Sequence, residues 1–230
     1  MILTQSKTLF ILAILMILLS CEESFDYPRS AIRRQYTVME VHGFMVYAET
    51  EALKRATTDT AITILGQKLE EITEFEFREG VLFDLQQVKI FLEWERAGGP
   101  CGVYYGDEPD EKNESVGFEN VETFIRCIQN GQPNLVLHEL SHAYHDLVLS
   151  HNYEPIIEAY EYAIEMQLYD SVQDIAGNFS EAYATTNYKE YFAEITEAFW
   201  GKNDYYPFIR EELALHDTLG YDVLVEIWLQ

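Results

Sequence analysis

The chain has 230 residues, with 40 Asp+Glu against 15 Lys+Arg, for a formal charge of −25. At 48% hydrophobic and 24% charged it has the composition of a globular chain, long enough for a sizeable core in one domain or at most two small ones. So large an acid surplus excludes nucleic acid and anionic membrane surfaces as main partners, since both are polyanions.

The first element is a leader. Lys7 precedes Leu9–Leu19, an uncharged apolar run well short of the about 20 residues a membrane span needs, and right for a signal-peptide core. It ends in Leu18-Leu19-Ser20-Cys21, which resembles a bacterial lipobox with Cys21 as the lipidated residue. The expectation is a signal peptide over 1–20, a lipidated tether over 21–35 and a single domain over 36–230. Such a protein is an exported lipoprotein, periplasmic or anchored at the outer membrane or cell surface. It meets the membrane only through the lipid on Cys21.

Tyr36 to Tyr47 alternates, with Met39, Val41, Met45 and Tyr47 on one face, and predicts one strand. Asp59 is placed to cap a helix to about Phe75, with Ile62, Leu65, Leu69 and Ile72 at helical spacing. Val88, Ile90, Leu92 and Trp94 predict a second strand. Gly98-Gly99-Pro100 breaks the chain before a short strand, Cys101–Tyr105, and Gly106–Ser115 reads as an exposed acidic loop. Val121, Thr123, Ile125 and Cys127 alternate as a further strand. A hairpin centred near residue 114 sets Cys101 opposite Cys127, and an exported protein keeps such a pair as a disulfide.

After Asn130-Gly131-Gln132-Pro133 the pattern turns helical, with helices at about 134–149, 155–169, 188–200 and 219–229 and a loop over 170–187. His216-Asp217 suits a cap for the last of these. Strands first and helices second define an α+β class, a small mixed or antiparallel sheet followed by a mainly helical half.

The first of these helices carries His138-Glu139-Leu140-Ser141-His142, an HExxH motif. Residues four apart sit about 40° from one another, so both imidazoles reach one ion from one face, which is zinc chemistry. Glu139 lies about 100° further round, where it addresses a water rather than the metal. Val136, Leu140, Ala143 and Leu147 form an apolar back. His145 is a neighbour rather than a fourth ligand, because a catalytic zinc keeps one position open. A third ligand is available downstream, where Glu190, Glu194 and Glu197 share one helical face.

His138–Asp146 (HELSHAYHD), Tyr183 and Glu190–Glu194 (EYFAE) together resemble the anthrax lethal factor-like metallopeptidases, zincins of the glutamate-ligand type. The resemblance covers about residues 133–200. It implies a zincin-like catalytic domain with one Zn²⁺ on His138, His142 and Glu190. Glu139 is then the general base, and Tyr183 assists the reaction. Glu194 orients a histidine ligand, and Asp146 matches an acidic position after the motif. Cys101–Tyr105 is by analogy the edge strand that receives an extended substrate. The implied activity is zinc-dependent endopeptidase cleavage of a protein or peptide by a monomer. The competing expectation is a non-catalytic zinc-containing lipoprotein that acts as a binding module.

Overall fold

A computed structural model describes residues 34–94, 99–107 and 111–230. The expected signal peptide, Cys21 and nearly all of the tether lie outside the described residues. Strands β1 (Tyr36–Val41) and β2 (Phe44–Glu49) form an antiparallel hairpin, with Val41 opposite Phe44. The expected single strand is therefore two. His42 and Gly43, both at positive φ (50° and 86°), make a two-residue turn that reverses the chain. The turn also resets the faces: Phe44, Val46 and Ala48 are buried, while Met45 is exposed.

Helix α1 (Ala56–Thr73) buries Leu65, Leu69 and Ile72 of the expected stripe, with Ala61 in place of the partly buried Ile62. Its N-cap is Arg55, and Asp59 lies inside the first turn instead of capping. A short helix α2 (Val81–Gln86), not foreseen, leads into β3 (Lys89–Leu92). Strand β4 (Val103–Tyr105) follows, and then β5 (Ser115–Phe118), a strand not foreseen that starts at the last residue of the expected acidic loop.

The five strands form one mixed sheet in the order β1-β2-β3-β5-β4. Its centre, β2-β3-β5, is parallel, and both outer pairs are antiparallel. Parallel strands need a crossover, so α1 and α2 lie between β2 and β3, and the split into strands then helices is only partial. The central position buries three of the four β3 residues, including Phe91, which lies outside the alternating set Val88, Ile90, Leu92 and Trp94. Phe91 stacks on Tyr47 at 5.0 Å and meets Tyr36 edge-on at 5.1 Å.

The residues expected as a strand around Val121 form α3 (Val121–Asn130) instead. Asn120 decides it: its side chain accepts a hydrogen bond from Thr123 N at 2.8 Å, satisfying an orphan amide of the first turn. The Cys101–Cys127 disulfide is present, with Cα atoms 5.9 Å apart. It joins the chain before β4 to α3, not two strands of a hairpin.

The remaining helices are α4 (Leu135–Tyr144) and α5 (Glu154–Glu165), then a two-residue hairpin β6 (Val172–Gln173) and β7 (Phe179–Ser180), a 3₁₀ turn at Tyr183–Thr185, α6 (Tyr188–Trp200), α7 (Arg210–His216) and α8 (Thr218–Leu229). The hairpin and turn fall in the expected loop, and α7 was not foreseen. Asp217 caps α8 as expected, accepting from Gly220 N at 2.9 Å, and is also held by the Tyr169 and Tyr191 hydroxyls at 2.9 and 2.6 Å. His216 binds the Leu168 carbonyl instead, at 2.7 Å. The fold is thus α+β with a small mixed sheet.

Aromatics knit the helical layer. Trp228, fully buried, meets Tyr144, Phe192 and Phe77 at ring separations of 4.7, 5.7 and 5.6 Å. Since each such side chain removes a large apolar area from water, α4, α6 and α8 are fixed against one another. Among the described residues no helix is long and apolar enough to cross a membrane.

Candidate metal centre

The site lies where α4 and α6 run against each other. Helix α4 is buried nearly all round, as an amphipathic surface helix is not. Asn134, at its start, donates from Nδ2 to the Lys202 carbonyl at 3.0 Å and to the Glu197 carbonyl at 3.3 Å, tying it to the end of α6. Asn187 caps the start of α6, accepting from Lys189 N at 2.9 Å and Glu190 N at 3.1 Å. That cap sets Glu190 in the first turn, where the helix dipole favours its negative charge.

The sequence-predicted ligands converge. Glu190 Oε2 lies 3.1 Å from His138 Nε2 and 3.1 Å from His142 Nε2, and the two nitrogens are 3.2 Å apart. Behind the ring, His138 Nδ1 lies 2.8 Å from Glu197 Oε1. A carboxylate accepts, so Nδ1–H donates, and Nε2 is left with its lone pair facing His142 and Glu190. Three such atoms so close call for a positive charge among them, either a proton on an imidazole or a metal ion. Zinc bonds of 2.0–2.1 Å in a tetrahedral site put ligand atoms roughly 3.3 Å apart, so the donor set fits such an ion. The same three residues form a group that can hold a metal.

The electrostatics agree. Burial alone raises the Glu190 carboxyl, but its bonds to His138 and His142 outweigh that and hold it well below the usual range. Burial pulls His138 down, and Glu190 and Glu197 more than compensate, holding it well above an ordinary imidazole. Glu139 is 6% exposed, and burial pushes its carboxyl up, the direction a proton acceptor needs to later release its proton to a leaving group.

The second carboxylate is not the one expected. Glu194 Oε1 is 3.9 Å from His138 Nδ1, too far for a hydrogen bond, and Glu197 makes that contact instead. The two are three residues apart on the same stripe, so the sequence shows the face but not which turn meets the imidazole. Burial, followed by the charges of Glu197 and Asp204, pushes Glu194 well above the carboxylate range.

Asp146 does not touch the site histidines by hydrogen bond. Its carboxylate accepts from the Tyr104 hydroxyl at 2.7 Å and pairs with His151 Nε2 at 2.7 Å. The cause is a wide π turn over His145–Leu149 that ends α4 and rotates the following residues out of α register. It also turns Leu147 out to 43% exposure, away from the expected apolar back, and it buries His145 between Tyr188 and Phe192. Burial drags the His145 imidazole down to about 4.

A cleft of about 670 Å³ opens over the centre. Strand β4 and the residues before it line one part of the cleft, and Tyr183 lines another, 49% exposed, with its ring 6.4 Å from that of His138. Burial and the nearby Glu190 charge raise the Tyr183 phenol, which keeps it a proton donor at neutral pH. Glu197, Asn134, Asn187 and Tyr104 are site residues that motif spacing did not assign. Of these, Asn187 had a signal, since Asn three residues before Glu is a capping pattern.

In comparisons with known proteins, no family model, no curated protein and no solved structure matches this chain.

Proposed function

We propose that this protein is a zinc-dependent endopeptidase, a zincin of the glutamate-ligand type like the anthrax lethal factor-like enzymes its motifs resemble. One observation carries the reading. Three ligand atoms, on His138, His142 and Glu190, stand 3.1–3.2 Å from one another at the floor of an open cleft, with Glu139 buried beside them. A purely structural zinc site has no use for an open face or a buried carboxylate that is not a ligand.

In this reading the two imidazoles and Glu190 hold one Zn²⁺, and Glu197 fixes the His138 tautomer from behind. When bound, the ion acidifies a water and polarises the scissile carbonyl. Glu139 takes the proton from the attacking water and returns it to the departing amine. Tyr183 donates a hydrogen bond to the oxygen that gains charge. The cleft wall at β4 orients an extended peptide, and the lipobox at Cys21 anchors the enzyme to the cell envelope, where the substrates are proteins or peptides.

The test compares wild type with Glu139→Gln for bound zinc and for cleavage of a peptide library. Both should hold one zinc, and the variant should lose about 10²–10⁴-fold in turnover. Wild type and variant that bind zinc and are equally inert would defeat the enzyme reading and leave a zinc-containing binding module.

A further inference from the structure

One wall of the cleft closes directly on Glu139. A Cβ added to Gly102 would stand 2.7 Å from Glu139 Oε1, 2.8 Å from Cγ and 3.0 Å from Cδ. All three nearest atoms belong to that one side chain, and all are inside ordinary van der Waals contact. The demand is for space alone, since Gly102 is not among the described glycines at positive φ, which are Gly43, Gly80 and Gly177.

Neither partner is free to step aside. Cys101, the residue before Gly102, is bonded to Cys127 on α3. Tyr104, two residues after it, is bonded to Asp146 on the π turn of α4. Glu139 itself sits on a buried helix and is 6% exposed. Among the described residues no hydrogen bond orients its carboxylate, so its position rests on packing against the wall and on attraction to His138 and His142.

We propose that Gly102 is a positioning residue for Glu139. Held by the Cys101–Cys127 disulfide on one side and the Tyr104–Asp146 bond on the other, its bare backbone sets where the carboxylate stands beside His138 and His142. The inference rests on the reading of Glu139 as the base. The disulfide is on this account part of the working site as well as of the fold.

A double-mutant cycle of Gly102→Ala and Glu139→Ala in the full chain tests it, read by melting temperature, zinc content and peptide cleavage. Gly102→Ala should lower the melting temperature by a few degrees in the parent and not in Glu139→Ala, where the clashing atoms are gone. It should cut kcat at least about tenfold while one zinc stays bound and KM moves little. Equal melting shifts in both backgrounds, or an unchanged kcat, would overturn the proposal. Removing the clamp by Cys101→Ser with Cys127→Ser should lower kcat in the same way. If that pair does not fold, Tyr104→Phe carries the same expectation, and full activity in whichever variant folds overturns the clamp. If the parent cleaves no peptide, the peptidase reading fails, and the melting cycle still decides whether Gly102 positions Glu139.

Discussion

Glu197 and Glu190 grip the His138 imidazole from opposite edges, at 2.8 Å from Nδ1 and 3.1 Å from Nε2. The first contact orders the second, because a donated Nδ1–H leaves Nε2 free for an ion. Replacing Glu197 with Ala should therefore weaken zinc binding about 10–100-fold, measured by competition with a chelating dye. Glu194→Gln should be nearly silent in the same assay. Glu194 is held well above the carboxylate range, so glutamine mimics its protonated form.

Tyr183→Phe separates chemistry from binding. The side chain is 49% exposed, so its hydroxyl can go without harm to the fold. Turnover of a cleaved peptide should fall by about 10²-fold, with zinc content and melting temperature unchanged. A full-rate Phe variant would remove Tyr183 from the reaction.

The carboxylates behind the site give the metal-free protein an unusual pH dependence. Burial and then the Glu197 charge push Asp204 up to about 7, against 3.8 for the ordinary group. Between those values the folded chain keeps a proton that the unfolded chain releases, so stability falls as pH rises. Stability from this group is fully present below about pH 4 and gone above about pH 7. Buried His145 works the other way below its ordinary pKa, since the unfolded chain then takes the proton. Because the two oppose each other below pH 6.5, the variant isolates the carboxyl: from pH 5.5 to 8 the melting temperature of the metal-free parent should change less favourably than that of Asp204→Asn.

Asn120→Ala tests the helix that was expected as a strand. Loss of the bond to Thr123 N, and of the Nδ2 bond to the Trp94 carbonyl at 2.8 Å, should cost about 1–2 kcal/mol in urea unfolding. A change within about 0.5 kcal/mol would mean that α3 is held by packing and the disulfide alone.

That helix also marks how far the sequence can be read. Val121, Thr123, Ile125 and Cys127 alternate, but Val121, Phe124 and Ile128 equally fit a helix, and in a window this short periodicity does not arbitrate. The cap at Asn120 was the available signal. His42-Gly43 was likewise a turn hidden inside an unbroken alternation. The long periodic stretches fared better: α1, α4, α5, α6 and α8 appear within a few residues of their expected bounds. The HExxH pair and Glu190 meet because helical spacing fixes the first two and the Asn187 cap sets the third. The contacts of Asp146 and Glu194 differ from the expectation for another reason. The π turn and the packing of one helix on another decide them, and neither is local to the sequence.

The candidate ligands sit on helices far apart in sequence, with His138 and Glu190 separated by 52 residues, so an ion held by both would cross-link the helical half. Binding to the folded chain alone adds RT ln(1 + [M]/Kd), about 2.7 kcal/mol at a hundred times Kd. The heat resistance of the protein is then a gauge of its occupancy. Divalent ions can be ranked by how far each raises the melting point, without any knowledge of a substrate.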